Sequence, residues 1–261
     1  MIKNTVIIKA EKKDKTIIKT IQSCLNQTNK NLEIIVAYSK FKDENKIKKK
    51  IKSKKVIFFK VKKKLKNKVQ DQLFKIEQSL KISKGKNIFL LDGDDIFNKK
   101  KIEIISKIIN NREIMILDNY FTISNNAKFK NKIMNHKKNY FYKRFINDWP
   151  KNVCTSAISI ERKLLFKFFK EIKISKYKYL AIDILLAIYC NRGGKLLRVN
   201  KFFTNKIELS DSVDKNYVGY DNRLYWHRRL EQHRYNFFIK KKSYFNFDFL
   251  ISYILSFLFR I

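Results

Sequence analysis

NIFLLDGDD, residues 87–95, is the stretch whose reading decides the fold. Ile88 to Leu91 form an unbroken apolar run that ends in Asp92, Gly93, Asp94 and Asp95. An apolar run without alternation, closed by a glycine turn, predicts a strand buried on both faces, as in a parallel sheet. The three carboxylates repel one another, and the chain holds only 23 Asp+Glu against 60 Lys+Arg. Either a positive group gathers these acids, or the turn is solvated and Asp95 caps a following helix over 96–109.

Upstream, hydrophobic spacing alternates between strand and helix. TVIIKA (5–10), LEIIVAYS (32–39) and VIFFKV (56–61) read as strands. TIIKTIQSCLNQ (16–27) and VQDQLFKIEQSLKIS (69–83) carry apolar residues at helical spacing, with Thr16 as a cap of the first and Gly85 ending the second. Residues 42–55 read as a basic helix or loop. Strands alternating with helices predict βαβ crossovers, so the fold class is α/β with a mainly parallel sheet. In such sheets ligands gather outside the carboxyl ends of the strands, and Asp92 to Asp95 stand at one of those ends. Closely spaced carboxylates there suit a hard divalent cation, Mg²⁺ or Mn²⁺, which in turn neutralises a diphosphate. Gly93 lets the backbone approach a ligand without a Cβ in the way.

Composition sets outer bounds. The 261 residues with 44% hydrophobic content suffice for one large α/β domain with an appended piece. The net charge of +37 suits nucleic acid, anionic lipid or phosphorylated ligands, or reflects solvated lysines from A/T-rich codons. Cys24, Cys154 and Cys190 lack metal-ligand spacing and a disulfide framework. MIKNTVIIKA is too short and charged for a signal peptide, and no long apolar run interrupts the body. The expectation is a cytoplasmic protein, with peripheral attachment at the inner face of the cell membrane through its tail.

TIIKTIQSCLNQTNKNLEIIVAYS and ISKGKNIFLLDGDDIFNKKKIE together resemble glycosyltransferase family 2, in order and in spacing, across roughly the first 110 residues. The resemblance implies a GT-A fold and inverting transfer from a nucleotide sugar. Carried onto this chain, it implies that Asp92 faces the ribose or metal and that Asp94 ligates the metal holding the donor diphosphate. Asp95 would support the loop or the donor sugar. The family's base lies in an acidic motif on a helix, and KYLAIDILLAIYC (178–190) stands in its place with Asp183 its only carboxylate. Its apolar neighbours predict burial, which would raise its pKa toward that of a useful base, unless it only pairs with a lysine. The chain departs from the pattern at Val36-Ala37-Tyr38-Ser39, where the family's base-binding acids stand, and after Lys9-Ala10, where it lacks a Pro-x-Tyr-Asn turn. Ile182 replaces the first acid of the base motif.

In the second half EIMILDNYF (113–121) reads as a strand, and Trp149 beside Pro150 either stacks on an acceptor sugar or fills the core. DNRLYWHRRLEQHRYNFF (221–238) concentrates arginine, so His227, Arg228 and Arg229 are candidate phosphate ligands, or line a basic surface helix. FNFDFLISYILSFLFRI (245–261) follows IKKKS and reads as an interfacial anchor, a core helix or an oligomer contact. The expected organisation is a donor half (1–112), an acceptor half (113–220) and a helical extension (221–261). The expected function is metal-assisted transfer of a sugar to a saccharide or lipid-linked acceptor. The alternative is a decayed GT-A scaffold that binds anionic membrane or nucleic acid. No RNA-binding motif supports the nucleic-acid version, so nucleic acid is not an expected partner.

Overall fold

A computed structural model describes residues 3–11, 16–40, 44–62, 65–124, 127–132, 150–208, 217, 219–240 and 246–258. The strands are β1 (Asn4–Lys9), β2 (Leu32–Tyr38), β3 (Val56–Lys60), β4 (Asn87–Asp92), β5 (Ile96–Phe97), β6 (Met115–Ser124), β7 (Ala127–Asn131), β8 (Ile158–Glu161) and β9 (Leu196–Ile207). The helices among the described residues are α1 (Ile17–Leu25), α2 (Glu44–Lys50), α3 (Lys68–Ile82), α4 (Lys101–Ile109), α5 (Arg162–Glu171), α6 (Ile182–Arg192), α7 (Arg223–Lys240) and α8 (Phe247–Leu258).

The strands form one sheet in the order β3-β2-β1-β4-β8-β6-β9-β5, with β7 paired to β6. β3, β2, β1 and β4 run parallel, joined by helical crossovers. β8 then enters antiparallel between β4 and β6, and β6 and β9 are parallel to each other. The expected mixed, mainly parallel α/β sheet is present. β1 and β2 are buried along their whole length because helices cover both faces. One face carries Leu73 and Ile76 of α3, Phe168 of α5, Leu185 of α6 and Tyr235 of α7. The other carries Ile17 and Ile21 of α1, Ile47 of α2 and Ile105 of α4.

Three expectations need correction. Residues 96–109 are not one helix: Ile96 and Phe97 pair with Asn205 and Thr204, and α4 starts only at Lys101. Asp95 therefore caps no helix there, because its carboxylate is engaged elsewhere. α3 ends at Ile82 with Ser83 as its C-cap, so Gly85 does not terminate it. Gly85 is instead required for close approach, since a Cβ at that position would lie 2.5 Å from the Asn4 carbonyl carbon. The helix expected over 178–190 begins at Ile182, because the amides of Lys178, Tyr179 and Leu180 all donate to the Glu231 side chain.

No helix among the described residues is long and apolar enough to cross a membrane. The three cysteines are free and buried. Because Gly85 meets backbone rather than a yielding side chain, Gly85→Ala should lower unfolding free energy by about 1–3 kcal/mol, the usual cost of overpacking. Urea denaturation of the variant and the parent measures this.

Candidate active site

The acids gather at the carboxyl end of β4. Side-chain oxygens of Asp92, Asp94 and Asp95 all lie within 4.8 Å of one another. Three full negative charges at that spacing would be costly in a half-buried turn, and the surroundings treat each acid differently.

Asp92 has a cation. Lys9 is its register partner on β1, and Lys9 Nζ lies 3.0 Å from Asp92 Oδ1. Burial works against the Lys9 ammonium, yet Asp92, and more weakly Asp183 and Glu11, hold its pKa above the usual lysine value. Asp95 is buried and anchored at both oxygens. The Ser156 hydroxyl donates to Oδ2 at 2.5 Å, and the Ile207 amide donates to Oδ1 at 2.9 Å. Burial, with the charges of Asp92 and Asp94, pushes the Asp95 carboxyl well above its usual range. Ser156 in turn accepts the Asp92 amide at 3.0 Å, so one hydroxyl ties both ends of the acidic turn.

Asp94 differs from both. Its carboxylate is half-buried, and burial followed by the Asp92 charge raises its pKa to about 6. The charges of Lys9 and Lys206 oppose that rise more weakly. The donor set fits a hard cation: Asp94 and the Asp92 oxygen not engaged by Lys9 are the side chains that would hold one. Gly93 fixes the turn from behind, its carbonyl accepting the Thr20 hydroxyl at 3.0 Å and its amide donating to Lys9 O at 3.0 Å.

Behind the turn lies a buried polar network that sequence reading missed. Lys101 is fully buried, and its ammonium meets Asp118 Oδ1 at 2.7 Å, Ser156 O at 2.7 Å and Thr204 Oγ1 at 2.8 Å. The same ammonium stands 4.2 Å from the Phe97 ring centroid. Burial lowers the Lys101 pKa and raises that of Asp118, the pattern of a pair drawn out of water. This network fixes the segment that carries Ser156, and Ser156 holds Asp95.

Asp183 is in the first turn of α6 and half-buried, not sunk in the middle of an apolar helix as expected. Its neighbours Ile182, Ile184 and Leu185 are buried, which leaves the carboxylate at the rim of the helix end. Its charge acts on both Lys9 and Cys154, which places it at the same end of the sheet as the acidic turn. Of the basic candidates on α7, His227 stacks on Tyr179 with ring centroids 5.5 Å apart. Arg228 stands over the Tyr217 ring at 4.7 Å. Arg229 spends its fork on Asp248, with Nε and Nη2 each 2.7 Å from a carboxylate oxygen, so it ties α7 to α8. Trp149 lies outside the described residues.

The model of glycosyl transferase family 2 matches residues 5–170, a span that contains the acidic turn, Lys101 and Ser156. The chain belongs to glycosyl transferase family 2. No curated protein sequence matches it. Among solved structures it is similar to S. aureus TarS 1-349 in complex with UDP-GlcNAc, at a TM-score of 0.63 and 11% identity, over 97% of this chain and 70% of that one. S. aureus TarS itself matches at a TM-score of 0.59 and 13% identity, over 88% of this chain. The family 2 chain spans only 38% of the length of that structure. These likenesses show a shared fold of the GT-A type, here with C-terminal helices.

The acidic turn has a cost that can be measured. A carboxyl with pKa raised in the fold binds its proton more tightly there than in the unfolded chain. It therefore supports stability below the usual carboxylate pKa and loses that support as pH rises through about 6. At pH 7 charged Asp94 costs about 1–3 kcal/mol, the upper figure discounted for partial exposure. Asp94→Asn should stabilise the cation-free protein by that amount near pH 7 and by almost nothing near pH 4. Denaturation curves at the two pH values decide it.

Proposed function

We propose that this family member is an inverting, cation-assisted glycosyltransferase that moves a sugar from a nucleotide-sugar donor to a hydroxyl of a saccharide or lipid-linked acceptor. The observation that carries the reading is the cluster of Asp92, Asp94 and Asp95 at the carboxyl end of β4, with Asp183 near enough for its charge to act on Lys9. In this reading residues 1–112 supply the donor half, 113–220 the acceptor half and 221–261 a helical support.

Each side chain then has a task. Asp94, with Asp92, would hold Mg²⁺ or Mn²⁺, and that ion when bound supplies positive charge against the departing diphosphate. Lys9 holds Asp92 in place, and would add a second positive group beside the phosphates. Asp95 keeps its two hydrogen bonds and holds the loop shape. Asp183 takes the proton from the acceptor hydroxyl as its oxygen attacks the anomeric carbon. The bond from that carbon to the diphosphate oxygen breaks, and its electron pair leaves with the nucleoside diphosphate. Attack opposite the leaving group gives inversion. The end of β2, Ala37-Tyr38-Ser39, has no acid for the nucleobase, so the base would be held by other groups.

The complex of S. aureus TarS 1-349 with UDP-GlcNAc makes UDP-linked sugars the first donors to screen. Calorimetry with and without Mn²⁺ separates this reading from that of a non-catalytic basic scaffold, which would bind no nucleotide sugar in a cation-dependent way. Asp94→Ala is expected to abolish the cation-dependent part of nucleoside diphosphate binding and leave the fold intact. Unchanged affinity in that variant would remove Asp94 from the site. Asp183→Asn should keep donor binding and slow transfer about 10²–10⁴-fold, the range for loss of a general base. Transfer at the parent rate would make Asp183 structural.

A further inference from the structure

Helix α8 is built inside out. Ser252 and Ser256 face inward at 0% and 5% exposure, while Phe247, Tyr253, Phe257 and Leu258 are all more than half exposed. Leu250, Ile251 and Ile254 are exposed between them. Positions 247, 250, 251, 254, 257 and 258 follow helical spacing, so they form one continuous apolar face turned away from the protein.

Polar contacts set this orientation. Asp248, in the first turn of α8, accepts both prongs of Arg229 from α7. The buried His233 Nε2 lies 3.5 Å from Asp248 Oδ2 and 3.5 Å from Ser252 Oγ. Asn246 caps the helix by accepting the Phe249 amide at 2.8 Å. Rolling the helix to hide its apolar face would break the two-pronged Arg229–Asp248 pair and bury large side chains where only serines fit. The exposed face is therefore a fixed feature of the helix.

We propose that this face seats on an anionic membrane surface, with α8 lying flat among the headgroups. Twelve residues make a helix about 18 Å long, well short of the roughly 30 Å hydrocarbon layer, so insertion across it is excluded for this segment. The neighbouring last turn of α7 exposes Phe237 and Phe238, and the sequence that joins it to α8 begins with Lys241 and Lys242. An exposed apolar face that follows a lysine-bearing stretch of sequence, on a chain of net charge +37, matches the chemistry of acyl chains under anionic headgroups. The inference deepens the reading of a lipid-linked acceptor, but its test involves no transfer, so either can fail alone.

The full chain is floated with vesicles of phosphatidylcholine, with or without phosphatidylglycerol, beside the double variant Ile254→Glu/Phe257→Glu. The parent should bind the anionic vesicles, with high salt weakening but not abolishing binding. The double variant should bind at least about tenfold more weakly and keep its melting temperature and nucleoside diphosphate affinity. In a second arm, Phe257→Trp should show a blue-shifted emission on adding the anionic vesicles. Equal binding by the double variant, binding erased by salt, or no emission shift would overturn the proposal. So would a parent that ignores vesicles and runs as a dimer that the double variant splits, which would make the face a contact between copies.

Discussion

Repulsion among three carboxylates confined within 4.8 Å governs the rest of this site. The chain resolves it without scattering the acids. One is paired with a buried lysine on the neighbouring strand, and one is buried where the neutral form is favoured. The third, Asp94, has its pKa raised to about 6 by burial and by the charge of Asp92. The buried Lys101–Asp118 pair belongs to the same solution. It holds the Ser156 backbone, and through the Ser156 hydroxyl it determines where Asp95 and the Asp92 amide lie. A stable scaffold of buried polar contacts thus supports an acidic turn that is itself unfavourable until charge is supplied.

The position of Asp183 depends on the last two described helices. Glu231 of α7 collects three successive amides of the segment leading into α6, and the Tyr235 hydroxyl donates to Leu185 O at 3.0 Å. Those contacts set where α6 begins, and so where Asp183 emerges. α7 is in turn locked to α8 by Arg229 and His233 on Asp248. The helices that present an apolar surface outward are therefore mechanically continuous with the helix that carries the proposed base.

Much of the first half of the fold was legible in the sequence, because strand periodicity and the acidic turn are local signals. β4 falls on NIFLLD as read, and the parallel order of the first strands follows from the alternation with helices. What escaped was long-range. Lys9 and Lys101 are two lysines among many, and nothing in their local pattern separates a buried ammonium from a solvated one. Ser156 is an ordinary serine until the antiparallel β8 brings it beneath the β4 turn. The start of α6 was misplaced because its determinant, Glu231, lies about fifty residues further on, and the same error put Asp183 too deep. The tail was read as apolar on nearly every side, since the sequence alone does not show that its two serines form the buried seam.

The central claim is that a cation held at the acidic turn and the carboxylate of Asp183 share one small volume. Paramagnetic broadening by Mn²⁺, added with a nucleoside diphosphate to isotope-labelled protein, tests it most directly. The account predicts that amide signals of Gly93, Asp94 and Asp95 disappear together with those of Ile182, Asp183 and Ile184, while those of α8 persist. Loss confined to α7, or loss around Asp94 with the first turn of α6 untouched, would contradict it.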